Sequence, residues 1–299
     1  MYNNQLESAL NTGNLRIVKR YRTSLQPDDA IQAAFNGHTH ILKYMDTLME
    51  IPPDAIVMAA KGGYIDTVKY LLDVVPEVPP DAIASAAESG HYDIVELLKD
   101  VAMDSGAVAT AASTGDFDMV RHLVSMGAPV DRDALEGAIM SEDLDMVQYV
   151  VEELGIRPNK DNLKEAAASG VVDIVDYLIG YGVWPDPETI LAVVMEGIQD
   201  ERSVDVVDLL YRSGAEVTPD ALIASIDSNN DAMTRYLMRK CKHRGPEVVE
   251  AAVTSMDAEL VRELLNLGYL ADDSATEIAI ENEDDDTLEV LAQFGLHTP

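Results

Sequence analysis

Ala59-Ala60-Lys61-Gly62-Gly63-Tyr64-Ile65-Asp66-Thr67-Val68-Lys69-Tyr70-Leu71-Leu72 carries the pattern on which the fold turns. A pair of alanines leads to a glycine, with an acid three residues beyond it and apolar residues five and eight beyond it. The same order returns at Ala86-Ala87-Glu88-Ser89-Gly90-His91-Tyr92-Asp93-Ile94-Val95-Glu96-Leu97-Leu98. With the glycine as anchor, equivalent positions are Gly13, Gly37, Gly63, Gly90, Gly115, Glu142, Gly170, Gly197, Asn229, Met256 and Glu283. The ten steps from Gly13 to Glu283 cover 270 residues, so one repeat is 27 on average. A fixed period of roughly 20 to 50 residues decides the architecture before any local propensity does.

Within the repeat, each position has a physical role. Four residues before the anchor stands alanine in nine of eleven copies, with Val193 and Ser225 the exceptions, which means that two backbones approach closely there. The acid three after the anchor (Asp66, Asp93, Asp118, Asp145, Asp173, Glu259, Asp286) suits the first turn of a helix, where it faces the positive end of the macrodipole. Apolar residues five and eight after the anchor, such as Val68 and Leu71 or Val95 and Leu98, share one helical face. Proline ten before the anchor, followed by an acid, opens a second helix at Pro27, Pro53, Pro80, Pro187, Pro219 and Pro246. The repeat is therefore a short helix A, a turn at the anchor, a longer helix B and a loop. The copies run over roughly 5–28, 29–54, 55–81, 82–106, 107–133, 134–161, 162–188, 189–220, 221–247, 248–274 and 275–299, a single repeat domain over 1–299. Repeat 8 carries an insertion of about five residues at Gln199 to Ser203, and the last three anchors depart from glycine.

The two quoted stretches resemble the central part of ankyrin repeats, and the likeness recurs in phase along the whole chain. The resemblance implies an all-α solenoid of about eleven helix-turn-helix repeats that binds other proteins and performs no catalysis. Two departures stand out. Pro-Asp-Ala-Ile or Pro-Asp-Ala-Leu replaces the family's Thr-Pro-Leu-His helix start, and the repeat is about six residues shorter than the usual 33. The shortfall falls in the loop that makes the family's β-hairpin finger, so the fingers are expected to be stunted and the helix A side is left as the binding surface.

Composition narrows the function from another direction. The 299 residues hold 54 acids and 21 bases, a formal net charge of −33 with a pI of about 4.2. Such a chain repels the phosphate backbone unless a basic face is segregated from the rest, so direct nucleic-acid binding is not expected. The longest apolar runs have six residues, far short of the roughly 18 that cross a bilayer, and no membrane contact is expected. The opening Met1–Ser8 has neither a basic nor an apolar leader region, and Cys241 is the single cysteine, so an intracellular chain, cytoplasmic or nuclear, is expected. His38 and His91 follow anchor glycines, where ankyrin-like repeats use histidine to tie the turn to neighbouring backbone. His40, His122, His243 and His297 have no partner at ligand or nucleophile-pair spacing. No phosphate-cradling loop occurs, and the acidic run Glu281, Glu283, Asp284, Asp285, Asp286 lacks the ligand order of a calcium loop. No enzyme, cofactor or metal is expected.

The two residues just before each anchor vary while the frame repeats, as a recognition surface on a repeated scaffold would. From them come Phe35, Lys61, Glu88, Met140 and Met195 as candidate partner-binding residues. The loop ahead of helix A adds Arg157 and the lone tryptophan, Trp184, in a slot that is mostly polar elsewhere, with Tyr181 beside it. The expected partner is another protein, with a basic segment suited to the negative field, and the chain itself is expected to be monomeric. The alternative is that the acidity imitates nucleic acid and occupies the basic groove of a nucleic-acid-binding protein. Two basic clusters interrupt the acidity: Arg16, Lys19, Arg20 and Arg22, and Arg235, Arg239, Lys240, Lys242 and Arg244. They either pair with acids of their own helices or meet an acidic patch on a partner.

Overall fold

The computed structural model describes residues 4–100, 103–196 and 201–296. The regular elements among them are helices, and they alternate as helix A and helix B through eleven repeats, with no strand among the described residues. The repeated helical array expected from the 27-residue period is thus the fold. Two compact units are formed, Met1–Arg157 and Pro158–Pro299.

In the first unit helix A recurs at Asn4–Thr12, Pro27–Phe35, Asp54–Lys61, Asp81–Glu88, Gly106–Ser113 and Asp133–Met140, each packed on the next. In the second unit Lys160–Ser169, Pro187–Glu196, Pro219–Asp227, Pro246–Thr254 and Asp273–Glu281 stack in the same way. The residue four before the anchor is buried in all eleven repeats, which is why a methyl side chain is favoured there. Ser225 is admitted because its hydroxyl donates to Leu222 O at 2.7 Å and accepts from Thr234 Oγ1 at 3.0 Å, so no buried polar atom is left alone. At Gly137 the approach is closer still. An added Cβ would overlap the carbonyl oxygen of Ala109 on the preceding helix A.

Every described anchor lies in the left-handed region, Gly37 at φ 70° and Gly90 at 72°, but also Glu142 at 57°, Asn229 at 53°, Met256 at 56° and Glu283 at 53°. The cause is a Schellman turn closing helix A. In repeat 2 Gly37 N–H donates to Ala34 O (3.0 Å) and His38 N–H to Ala33 O (2.9 Å). In repeat 11 the corresponding bonds run from Glu283 to Ile280 (3.1 Å) and from Asp284 to Ala279 (3.0 Å). Gly197, the anchor of repeat 8, lies outside the described residues, as do residues 199 and 200 of the insertion read at Gln199–Ser203.

The residue after the anchor N-caps helix B, and two solutions appear. Asn14, Asp116, Asn230, Asp257 and Asp284 accept the backbone N–H three residues on, as N-caps do. His38 and His91 instead reach the previous repeat, with Nε2 3.1 Å from Asn11 O and 3.2 Å from Lys61 O, as expected for histidine in that place. His40 does the same toward Gly13 O at 2.9 Å. The acidic run of repeat 11 is explained by this scheme: Glu283 is the anchor, Asp284 the cap, and Asp285 and Asp286 fill the first turn.

Helix B is not uniformly the longer element. Tyr92–Leu97 has six residues against eight in Asp81–Glu88, and in repeat 1 Leu15–Val18 passes into a 3₁₀ turn at Lys19–Tyr21. Repeats 5, 6, 7, 8, 10 and 11 end helix B on a second left-handed glycine, Gly127, Gly155, Gly182, Gly214, Gly268 and Gly295. Repeat 6 carries one residue more than the average between its anchor and the next, and helix B absorbs it as a π turn at Tyr149–Glu153.

Candidate partner-binding face

Five of the eight candidate residues end a helix A. Phe35, Lys61, Glu88 and Met140 are the last residues of their helices in the first unit, and Met195 is the penultimate residue of Pro187–Glu196 in the second. All five are exposed, with Met140 and Met195 each 66% accessible. The position follows from the Schellman turn, which directs the alanine four before the anchor inward and leaves the last helical residues at the solvent edge.

Lys61 and Glu88 are not independent sites. They occupy the same slot in consecutive repeats and pair at 3.0 Å, both partly exposed. Such a pair contributes about 0–1 kcal/mol and leaves no net charge for a partner. Phe35 and Met140 expose apolar surface with no such partner.

The remaining three lie on the helix B side of the loop. Tyr181 is the last residue of Val172–Tyr181, with its ring 6.4 Å from that of Tyr177. Trp184 follows Val183, and the division of labour is sharp: Val183 is buried, while Trp184 is 64% accessible. Arg157 is exposed at the last position of the first unit.

The two basic clusters differ. In repeat 9, Arg235 lies near Asp231 (3.9 Å) and Glu263 (3.7 Å), and Lys242 pairs with Glu216 (3.2 Å). Lys240 sits over the rings of Tyr211 and Tyr236, and Arg244 donates to Leu267 O and stacks on Tyr269. In repeat 1, Lys19 stacks on Tyr44 at 5.3 Å, and Arg16, Arg20 and Arg22 are exposed. Internal pairing therefore accounts for most of the second cluster and little of the first.

A Tyr–cation ladder escaped the sequence reading. Lys19 over Tyr44, Lys43 over Tyr70 and Arg121 over Tyr149 join helix B of one repeat to the next. Tyr70 also donates to Asp46 at 3.0 Å, and burial together with that carboxylate pushes its pKa up to about 12. The signal was available as cations six, and tyrosines seven, after successive anchors. Catalytic geometry is another matter: no group of three or more His, Cys, Asp or Glu side chains gathers as metal ligands among the described residues. Burial raises the Cys241 thiol pKa, and its Sγ is 3.2 Å from His243 O, features of a packed structural thiol. No described helix is long and apolar enough to cross a membrane.

Comparison with known proteins agrees with the repeat register. Residues 83–162 match the family model for ankyrin repeats in three copies. No curated protein matches the chain. Among solved structures, the chain is similar to the pentatricopeptide repeat protein PPR10 in complex with an 18-nt psaJ RNA element, and to a triple cysteine-to-serine form of that complex. Each likeness has 10% identity and a TM-score of 0.41, covering 97% of this chain, which spans only 57% of PPR10. At that score the likeness assigns nothing further. Over residues 83–162 the chain is thus similar to ankyrin repeats, in line with the resemblance carried by its Ala-Ala-x-x-Gly stretches.

Proposed function

We propose that the chain is a non-catalytic, intracellular scaffold, one run of repeats over 1–299, that binds another protein on the solvent ends of its A helices and the adjoining short loops. The observation that supports this most is the contrast inside each repeat. The alanine and anchor positions are held to one geometry, while the last helical residues are exposed and chemically diverse, from Phe35 to Lys61 to Met140. Exposed Met140, Met195 and Trp184 are the side-chain types that supply binding energy when a partner covers them. A partner with a basic segment is favoured by the −33 field, which speeds association in a salt-dependent way.

The test is isolation of the bound protein on immobilised full chain, followed by affinity measurements. Met140→Glu and Trp184→Ala are each expected to weaken binding at least tenfold with the fold intact, and double-stranded DNA is expected not to compete. Competition by DNA, with both variants unimpaired, would favour the nucleic-acid-mimic reading instead.

A further inference from the structure

We propose that the trough between helix A of repeat 7 (Lys160–Ser169) and helix A of repeat 8 (Pro187–Glu196) is a docking groove for a cationic, amphipathic segment of a partner protein. The proposal rests on the reading of helix A as the binding side and specifies the chemistry of what binds there. The floor is apolar: Ala168 on one helix faces Leu191, Ala192 and Met195 on the other, and the spacing of Leu191 and Met195 places both on one helical face. Met195 stands 66% accessible at its edge, an adaptable thioether available to close over an incoming side chain.

The rim has the opposite character. Asp161, Glu188 and Glu196 border the trough. Its one lysine, Lys164, is already committed to Glu188 at 2.6 Å, a bond that holds the Lys164 ammonium above its ordinary pKa, and the neighbouring Lys160, outside the trough lining, pairs with Asp186 at 3.1 Å. Burial opposes ionisation of Asp186, but hydrogen bonds from Lys160 and Thr189 outweigh it and hold its pKa below the usual range. Among the described residues no cation pairs with Asp161 or Glu196. Asp161 is the second residue of its helix and Glu196 the last of its own, so a groove of about 15 Å offers a carboxylate outside any direct ion pair at each end, Asp161 feeling only the charge of nearby Lys164. The complementary segment carries aliphatic side chains in its middle, to cover Leu191 and Met195, and lysine or arginine on either side. A purely ionic ligand would leave the floor wet, and an anionic one would meet carboxylates at both ends.

The probe is a fluorescently labelled helical peptide of about four turns, with leucines at i and i+4 flanked by lysines, titrated into the full chain by anisotropy. Two controls accompany it, one with glutamate for lysine and one with serine for leucine. The expected result is binding at least tenfold tighter than either control, weakened tenfold or more by Met195→Lys and several-fold by Glu196→Gln, and unchanged by Leu48→Lys at an exposed position of the other compact unit. Equal binding of the serine peptide, or indifference to Met195→Lys with helicity unchanged, would overturn the groove. The scaffold reading is separately decided: an isolated partner that is lost on Met140→Glu but retained on Met195→Lys leaves the scaffold standing and removes this groove.

Discussion

The two compact units solve one backbone problem with different residues. In Met1–Arg157 glycine fills five of six anchors, whereas in Pro158–Pro299 it fills only one of the four described, the others being Asn229, Met256 and Glu283. The turn barely changes, with φ of 70–77° at the first unit's glycines and 53–57° at the non-glycine anchors, including Glu142. The difference teaches that the hydrogen bonds closing helix A define the anchor, while glycine only makes the left-handed conformation cheap. A side chain there is tolerated at a cost of about 1 kcal/mol because packing of helix A on the adjoining helices fixes the turn.

That comparison can be broken most severely where glycine serves close approach and not φ. Gly137→Ala drives a methyl into the Ala109 carbonyl of the neighbouring helix A and is expected to cost about 2–3 kcal/mol, read as a lower denaturation midpoint at constant m-value. Next come two anchors of the first unit. Gly63→Ala is expected to cost about 2 kcal/mol, since the His91 ring occupies the space of the new Cβ, against about 1 kcal/mol for Gly90→Ala, where nothing lies within 4 Å. Equal losses would show that the ring moves aside freely. In the second unit the sign reverses: Met256→Gly is expected to stabilise by about 0.5–1 kcal/mol, and Asn229→Gly by less, because asparagine tolerates the left-handed region. A destabilising Met256→Gly would mean that the 62% accessible methionine contributes packing that outweighs its strain.

The smallest expected effect concerns the helix B ladder. Because the folded-state pKa of Tyr70 is raised from 10 to about 12, its contribution is complete below pH 10 and is lost as pH rises through 12. Tyr92, raised to about 12 by burial and by its 2.7 Å bond to Asp116, behaves alike. Thermal midpoints measured from pH 9 to 12 are expected to fall, and less steeply in Tyr70→Phe. An unchanged slope would remove Tyr70 from the account.

What was legible in the sequence was whatever recurs. The alanine before the anchor, the acid in the first turn of helix B and the leucine eight residues on each meet one local requirement, so eleven copies outvote the exceptions at Val193 and Ser225. Less legible were features whose partner lies in the adjoining repeat. Lys61 and Glu88 are 27 residues apart, one period, yet only their side-chain geometry turns two candidate contacts into one ion pair. The groove at Leu191 and Met195 was half seen, through Met195, because its other wall belongs to the preceding helix A. The division at Arg157 and Pro158 leaves no compositional trace, for no glycine-rich or charged linker separates the units.

The claim on which the functional account depends is that a protein partner covers the solvent ends of the A helices. Hydrogen–deuterium exchange of the full chain with and without its isolated partner tests this directly. The account predicts protection concentrated at the ends of helix A and in the loop around Trp184, with helix B unchanged. Protection confined to the helix B ladder around Tyr44 and Tyr70, with helix A exchanging as in the free chain, would contradict it.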